Sequence, residues 1–254
     1  MIRLHFYPST AAMVPHILLE ELGVPYERVL VDRANDVHKS PEYLALNPNG
    51  LIPVLVDGDL VLYETAAICL HLADAHPQAG LMPALGSPER AHAYKWLMWL
   101  TNTLQATLIV YFYPHRWVEE GSAAQNEVKA MAKRRVGELL DQLDAELARH
   151  GGPWFMGQAH SLLDAYVFTL CRWTRHFSDD SPVRPARERP HLGPYLQRML
   201  ERPALQRVMT NEAVEKLLVI EREKGANLQF TDIIEQVAGV YPRIMMEGDM
   251  DAGA

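Results

Sequence analysis

The sequence predicts a mixed α/β half followed by an all-α half, because the type of element changes near residues 77–86. Residues 1–80 alternate strand-like and helix-like segments in the order β-α-β-α-β-β-α, which suits a small mixed sheet covered by helices on both faces. Residues 87–210 contain helical spacing and none of the alternation of a strand. We therefore predict an α/β domain at 1–80, an all-helical domain at 87–212 and a C-terminal extension at 213–254.

Turn signals separate the elements of the first domain. Gly23 follows the first helical pattern as a C-terminal stop. Asn47-Pro48-Asn49-Gly50 is a turn cluster, and Asp57-Gly58-Asp59 is a hairpin turn. The predicted strands are Ile2–Tyr7, Tyr26–Val31, Val54–Val56 and Leu60–Leu62. The predicted helices are Pro15–Leu22, Glu42–Leu46 and Glu64–Ala75.

Helix breakers divide the second half. Ser87 with Pro88 starts a long helix, Pro114 bends or ends it, and Gly151-Gly152-Pro153 breaks the next one. The predicted helices run from Ser87 towards Tyr113, over Ala123–Arg149, from Ser161, over Leu192–Leu200, and briefly after Pro203. In the extension we expect Val214–Ile220 and Ile233–Val240 to be apolar enough to pack, and Glu247–Ala254 to be disordered.

Composition narrows the class of partner. The net charge of −8 argues against nucleic acid, because affinity for a phosphate backbone needs clustered Lys and Arg. No apolar run reaches the roughly 18 residues of a membrane span, and Met1–Tyr7 enters a strand without a secretory signal. Cys69 and Cys171 lie in apolar helical patterns, which indicates buried thiols rather than a disulfide or a metal site. We expect a reducing, cytoplasmic setting.

Two short segments of the first domain carry polar chemistry. Pro53 opens a strand, so it either lies at a sheet edge or follows a cis peptide bond, and the residue pattern alone favours the trans edge proline. A cis bond would turn the N–H and C=O of Ile52 outward, where a peptide could pair with them. Glu64-Thr65 begins a helix, where N–H groups, a hydroxyl and a carboxylate suit a ligand with a carboxylate and an ammonium. Simple helix capping is the alternative for this pair.

Together these segments resemble the core of the cytosolic glutathione S-transferase family. The resemblance rests on the order and spacing of Asn47–Leu55 and Tyr63–Ile68, and it extends to Pro15–Glu27, which is similar to bacterial members. In the second half, Met156–Ala165 is similar to the family's folding signature, in which Ser caps a buried helix and Asp completes a capping box. Arg202–Arg207 resembles the closing helix, so the similarity covers the chain up to about residue 212.

The resemblance implies the architecture and activity of a detoxifying glutathione transferase. The N-terminal domain would be thioredoxin-like, the C-terminal domain all-helical, and the enzyme a cytoplasmic homodimer that uses glutathione as co-substrate and needs no metal. It implies a cis bond before Pro53 and backbone pairing of Ile52 with the cysteinyl part of glutathione. It also assigns the γ-glutamyl end of glutathione to Glu64 and Thr65.

The glycine end of glutathione has weaker candidates. In delta-like relatives a histidine at the position of His38 reaches the glycine carboxylate, and a second histidine stands at the position of Gly50, which this chain lacks. Asn49 is a candidate amide donor near the same place. The alternative for His38 is a solvated surface side chain.

Activation of the glutathione thiol depends on a hydrogen-bond donor just after the first strand. Only the thiolate attacks well, and a free thiol has a pKa near 8.5. The resemblance puts Ala11 where beta-class enzymes have a cysteine, which makes mixed-disulfide chemistry unlikely here. It puts Thr10 at the position of the activating serine of delta- and theta-like enzymes, with Ser9 before it and Tyr7 as a third choice. A backbone amide, or no activation, also remains open, and both hydroxyls could simply cap the first helix.

The acceptor substrate is expected between the two halves. The segment after the long helix is rich in polar-tipped aromatic side chains, and we take it as the candidate wall of an apolar acceptor pocket. Its candidate residues are Tyr111, Tyr113, Arg116 and Trp117. Most aromatic side chains on such a helix belong to the core, which is the alternative.

Three functions remain open from the sequence. The first is a transferase in which the thiolate attacks an apolar electrophile, by conjugation or by cleavage of an ether or halide. The second is a peroxidase or disulfide reductase that uses two glutathione molecules in place of a protein cysteine. The third is a non-enzymatic glutathione-binding stress protein, which the retained segments Ile52-Pro53 and Glu64-Thr65 disfavour.

Overall fold

The structure is a computed structural model of the 254-residue chain, and it describes residues 1–177 and 183–223. It contains two compact units. The first comprises Met1–Ala75 and the described part of the segment that begins at Glu201, and the second comprises His76–Leu200.

The first unit is built on one four-stranded sheet. Its strands are β1 (Ile2–Phe6), β2 (Tyr26–Leu30), β3 (Val54–Asp57) and β4 (Leu60–Tyr63), and its first helices are α1 (Met13–Leu22), α2 (Pro41–Leu46) and α3 (Thr65–Ala75). The strand order is β2-β1-β3-β4, in which β1 and β2 are parallel and the other pairs antiparallel. This is the predicted β-α-β-α-β-β-α order, and the fold class is confirmed.

Strand β3 shows why both faces of the sheet are covered. Side chains alternate between the faces of a strand, yet Val54, Leu55 and Val56 are all buried. Val54 and Val56 pack with Tyr43 of α2 in one cluster. Leu55 points to the opposite face and is fully buried there. A continuous apolar run in β3 therefore reflects a central strand between two layers of side chains.

The described part of the second unit is helical apart from one isolated bridge between Trp154 and Gly157. Its helices are α4 (Pro88–Trp99), α5 (Ala106–Phe112), α6 (Ala123–His150), α7 (Leu162–Arg172) and α8 (Leu192–Leu200). The long helix expected from Ser87 is present, but a π-helical segment at Leu100–Gln105 joins α4 to α5. Pro114 begins a short 3-10 turn directly after it.

The predicted capping box at the start of α7 is present and buried. The Asp164 carboxylate accepts the backbone N–H of Ser161 at 2.7 Å, the N–H of Phe155 at 2.8 Å and the hydroxyl of Tyr195 at 2.9 Å. Asp164 is 0% exposed. One carboxylate therefore ties a helix start, the preceding loop and α8 together.

The last helix is longer than the short segment predicted after Pro203. Helix α9 (Pro203–Glu223) packs against α1 within the first unit. The Arg202 guanidinium is 2.5 Å from the Glu21 carboxylate, and Arg207 is 2.5 Å from Glu20. The residues paired in these contacts are far apart in the sequence, so local helix propensity did not reveal the contacts.

The other predictions for the C-terminal extension concern parts that the structure does not describe. The backbone of Val214–Ile220 belongs to α9, but the packing predicted for this segment concerns side chains outside the described set. The segments Ile233–Val240 and Glu247–Ala254 lie outside the described residues.

Both cysteines are buried thiols, as predicted. Burial raises the pKa of the Cys171 thiol to about 12 and that of Cys69 well above its usual range. Neither side chain can therefore supply a thiolate near neutral pH. Among the helices of residues 1–177 and 183–223, none is long and apolar enough to cross a membrane.

Candidate functional site

The register of the sheet brings the three sequence-predicted segments to one end of the first unit. Val54 at the start of β3 pairs with His5 near the end of β1 and with Tyr63 at the end of β4. The residues that continue past this point on the three strands are therefore neighbours, because paired strands lie about 5 Å apart. These residues are the loop 7–12, Ile52-Pro53 and Glu64-Thr65.

The peptide bond between Ile52 and Pro53 is cis. The trans edge proline favoured by the residue pattern alone is wrong, and the cis bond implied by the family resemblance is confirmed. The carbonyl of the preceding residue, Leu51, accepts the Tyr43 hydroxyl at 2.9 Å and the Asn47 side-chain amide at 2.8 Å. These two donors hold the backbone on the N-terminal side of the bond.

The backbone of Ile52 is left unpaired by this arrangement. Within residues 1–177 and 183–223, neither its N–H nor its C=O has a hydrogen-bond partner. Ile52 is only partly buried. An unpaired donor and acceptor on one residue can bind an extended peptide in the manner of an added strand.

Glu64 and Thr65 form the second part of the site. Glu64 is exposed and has a φ of 73°, in the left-handed region that non-glycine residues rarely adopt. Thr65 is buried and is the first residue of α3. The first N–H groups of a helix lack partners within the helix, and the helix dipole makes this end positive. An amino-acid headgroup fits here, with its carboxylate at the helix start and its ammonium towards the Glu64 carboxylate.

His38 lies in a short turn, and its side chain is only 19% exposed. The Nδ1 atom is buried and has no hydrogen-bond partner among the described residues. Burial lowers the pKa of the imidazole, and the charges of Arg33 and Lys39 lower it further. The ring is therefore largely buried, and its Nε2 atom lies 4.0 Å from the Asp36 carboxylate. Its contact with the glycine end of glutathione stays a prediction.

Gly50 and Asn49 continue the same turn. Gly50 has a φ of 62°, and a Cβ atom there would lie 3.0 Å from the carbonyl oxygen of His38. The left-handed φ and this close approach would strain any side chain at position 50, which explains the glycine in physical terms. Asn49 is exposed, its backbone N–H donates to Asn47 Oδ1 at 3.1 Å, and its side-chain amide has no partner among the described residues.

The two candidate hydroxyls in the loop after β1 differ in their hydrogen bonding. Thr10 Oγ1 donates to the Tyr7 carbonyl at 2.7 Å and accepts the Ala12 N–H at 3.3 Å, so its proton is already committed to a hydrogen bond within the loop before α1. The Ser9 hydroxyl has no hydrogen-bond partner among the described residues. The Tyr7 ring lies under the Arg33 guanidinium, 5.3 Å from its centroid.

Sequence reasoning missed one residue that touches this loop. The backbone N–H of Ser9 donates to Glu212 Oε2 at 2.5 Å. Glu212 lies on α9 and is 3% exposed. The two residues are 203 positions apart, and no local pattern connects them, so only the fold reveals the contact.

The four predicted acceptor residues lie in the second unit, and their role as an acceptor site stays a prediction. The Tyr111 ring packs 4.7 Å from Phe177, and the Arg116 guanidinium lies 4.3 Å above the Tyr113 ring. Trp117 is 53% exposed and lines a cavity of about 530 Å³ formed by α5 and α6. The other three predicted residues do not line this cavity.

Comparison with known proteins agrees with the geometry of the first unit. The chain matches the family model for the glutathione S-transferase N-terminal domain over residues 8–75 and the model for the C-terminal domain over residues 100–203. It is 30% identical to a glutathione S-transferase (GST-4.5) of Xanthomonas campestris pv. campestris, over 84% of this chain and 99% of that protein.

Solved structures give the same result. A glutathione transferase homologue from Sulfitobacter with bound glutathione superposes with a TM-score of 0.73 at 28% identity, over 83% of this chain and 98% of that one. A family member from Pseudomonas fluorescens with two glutathione molecules bound has a TM-score of 0.69 at 27% identity, over 82% and 91% of the two chains. The chain therefore belongs to the glutathione S-transferase family.

Proposed function

We propose that this protein is a glutathione transferase that binds glutathione on the first unit and activates its thiol for attack on an apolar electrophile. The observation that carries the proposal is the unpaired backbone of Ile52, before a cis proline, at the same end of the sheet as Glu64-Thr65. The relatives solved with bound glutathione support the choice of ligand.

Each part of glutathione has a binding group in this proposal. The backbone of Ile52 pairs with the cysteinyl residue, as an added strand would. The γ-glutamyl carboxylate lies at the start of α3 with Thr65, and its ammonium pairs with Glu64. His38 and Asn49 hold the glycine carboxylate. His38 does so best when protonated, which its lowered pKa opposes at neutral pH.

Activation requires a hydrogen-bond donor at the sulfur. The sequence ranks Thr10 before Ser9, and the geometry supports the opposite order, because the Thr10 proton is donated to the Tyr7 carbonyl whereas the Ser9 proton is uncommitted. Donation from Ser9, together with the positive end of α1, stabilises the thiolate. The sulfur then bonds to an electrophilic carbon, and the leaving group departs with its electron pair. Each unit by which the thiol pKa falls corresponds to about 1.4 kcal/mol.

The finer parts of the assignment are proposals of the same kind. We assign the acceptor site to the Tyr111–Trp117 segment, where polar-tipped aromatic side chains suit an apolar molecule with a polar group. The enzyme would act as a cytoplasmic homodimer in detoxification, without a metal. A glutathione-dependent peroxidase or disulfide reductase is the second candidate, because a relative binds two glutathione molecules and Ala11 offers no protein thiol for the same chemistry.

The experiment that tests the proposal measures activity on two substrate classes in Ser9→Ala and Thr10→Ala. We expect Ser9→Ala to raise the thiol pKa of bound glutathione and to lower kcat towards an aryl halide about tenfold, the effect of one pKa unit on the thiolate fraction. We expect Thr10→Ala to lower stability by about 1 kcal/mol through loss of its loop hydrogen bonds, with the thiol pKa nearly unchanged.

The outcomes separate the candidates. Turnover of an aryl halide and not of a hydroperoxide supports the transferase, and the reverse supports the peroxidase. If Thr10→Ala raises the thiol pKa and Ser9→Ala does not, the assignment of Ser9 is wrong. Saturable binding of glutathione without turnover of either class would leave a binding protein.

A further inference from the structure

A carboxylate from the last helix holds the loop that carries the proposed activating hydroxyl. Glu212 Oε2 accepts the backbone N–H of Ser9 at 2.5 Å, although the two residues are 203 positions apart. A hydrogen bond to an ionised acceptor is shorter and stronger than a neutral one. This hydrogen bond therefore joins α9 specifically to the loop that follows β1.

This hydrogen bond acts on a residue in an unfavourable backbone conformation. Ser9 has a φ of 60°, in the left-handed region that L-residues other than Gly, Asn and Asp rarely adopt. Such a residue keeps this conformation only where surrounding contacts hold it. The backbone angles of Ser9 also set the direction of its Cα–Cβ bond, and hence the place of its hydroxyl.

The second oxygen of the Glu212 carboxylate faces α1. Oε1 lies 3.8 Å from His16 Nδ1, and neither this oxygen nor either ring nitrogen of His16 has a hydrogen-bond partner among the described residues. The imidazole is fully buried, with its centroid 6.5 Å from that of Phe6 and 5.9 Å from that of Tyr26. Among the described residues, the Ser9 N–H is therefore the hydrogen-bond donor that this carboxylate accepts.

Docking of α9 on α1 does not depend on Glu212 alone. Arg202 pairs with Glu21 through two contacts of 2.5 and 2.7 Å, and Arg207 pairs with Glu20 at 2.5 Å. These ion pairs join the same two helices without touching the loop at Ser9. They offer a control that separates helix docking from loop positioning.

We propose that Glu212 is a positioning residue for thiol activation, which fixes the left-handed backbone of Ser9 and so aims its hydroxyl at the glutathione sulfur. This inference rests on the proposed function. Loss of the acceptor lets Ser9 leave the left-handed region, and its hydroxyl then no longer stabilises the thiolate. Binding of the tripeptide through Ile52 and Glu64 is unaffected, because their contacts do not involve α9.

The test compares three substitutions of Glu212 with Arg202→Ala. Glu212→Gln keeps an acceptor without the charge, Glu212→Asp keeps the charge on a side chain too short to reach the Ser9 amide, and Glu212→Leu keeps neither. The readouts are the thiol pKa of bound glutathione, from thiolate absorbance against pH, and the separate values of kcat and KM for glutathione. Thermal unfolding of each variant reports helix docking.

We expect Glu212→Asp and Glu212→Leu to raise the thiol pKa by about one unit, so that the thiolate fraction below that pKa falls about tenfold. The KM for glutathione stays within about twofold, the pattern for an interaction that serves activation and not binding. Glu212→Gln retains a thiol pKa close to wild type. Arg202→Ala lowers the melting temperature and leaves the thiol pKa unchanged.

Three results would overturn the inference. Arg202→Ala could raise the thiol pKa as much as Glu212→Leu, which would make the effect one of helix docking. Glu212→Gln could behave like Glu212→Leu, which would make the charge and not the hydrogen bond responsible. Both Glu212→Asp and Glu212→Leu could keep the wild-type thiol pKa. If wild type itself leaves the thiol pKa unshifted, the activation step of the proposed function fails first, and this inference fails with it.

Discussion

Replacing Asp164 by alanine should destabilise the protein more than any surface substitution. The carboxylate is fully buried and accepts four buried donors, which are the N–H groups of Ser161 and Phe155 and the hydroxyls of Ser161 and Tyr195. A hydrogen bond to a charged group contributes about 1.5–3 kcal/mol, and a buried donor left without a partner costs its full desolvation. Four such losses in one network give about 4–6 kcal/mol once non-additivity is allowed for.

Asp164→Asn separates the contributions of the two carboxylate oxygens to the free energy of unfolding, because it replaces only one of them. The asparagine keeps an acceptor for Phe155 and Tyr195 but presents an NH₂ group to the Ser161 N–H. We therefore expect a loss of about 2 kcal/mol, close to the cost of one charged hydrogen bond. Asp144→Ala is the matched control, because the Asp144 carboxylate also accepts two backbone N–H groups, those of His191 and Leu192 at 2.8 Å, in a less buried place. Its cost should be about 1 kcal/mol, as for an exposed helix cap.

Urea unfolding followed by circular dichroism measures these free energies. The expected order of destabilisation is Asp164→Ala, then Asp164→Asn, then Asp144→Ala. A free energy of unfolding for Asp164→Ala equal to that of Asp144→Ala would refute the reasoning, since burial of the network would then contribute nothing. Equal losses for Asp164→Asn and Asp164→Ala would refute the division between the two oxygens.

Two further perturbations test the first unit. Gly50→Ala should lower the free energy of unfolding by about 2 kcal/mol and raise the KM for glutathione, since the added Cβ meets the His38 carbonyl oxygen at 3.0 Å in a left-handed conformation. Gly58→Ala, with a φ of 60° and nothing within 4 Å, should cost only about 1 kcal/mol, and equal costs in urea unfolding would contradict the steric part. Burial, with Arg3 adding to it, lowers the pKa of His5 from 6.5. As the pH falls, the unfolded state therefore binds more protons than the folded state, and the free energy of unfolding declines below about pH 6.5. His5→Gln should make the free energy of unfolding, measured at neutral and acidic pH, less dependent on pH. An unchanged pH dependence would contradict the role of His5.

Local signals in the sequence predicted the elements of the fold correctly. Ser87 with Pro88 starts α4, Gly151 ends α6 in a left-handed conformation, and Ser161 begins α7 with its capping box. Each of these signals depends on hydrogen bonds within a few residues, so a short window of sequence contains it. The length of α9 was missed because its contacts with Glu20 and Glu21 come from a helix at the other end of the chain.

The candidate site was predictable only in part, because some of its features depend on contacts between residues that are distant in the sequence. The cis bond before Pro53 could not be derived from pattern, because most X–Pro bonds are trans and the local residues do not show which isomer tertiary contacts select. The family resemblance supplied it. The family resemblance ranks Thr10 before Ser9, and the contact of Thr10 with the Tyr7 carbonyl, which the sequence does not show, favours the opposite order. The tie from Glu212 to Ser9 has no sequence signal at all.

The most direct measurement of the central claim is a titration of the wild-type protein with glutathione, followed by thiolate absorbance as a function of pH. The proposed site predicts saturable binding and a thiol pKa for bound glutathione at least about one unit below the value near 8.5 of a free thiol. Absence of binding at millimolar glutathione would contradict the assignment of Ile52, Glu64 and Thr65. Binding with an unshifted thiol pKa would contradict activation by the loop that carries Ser9.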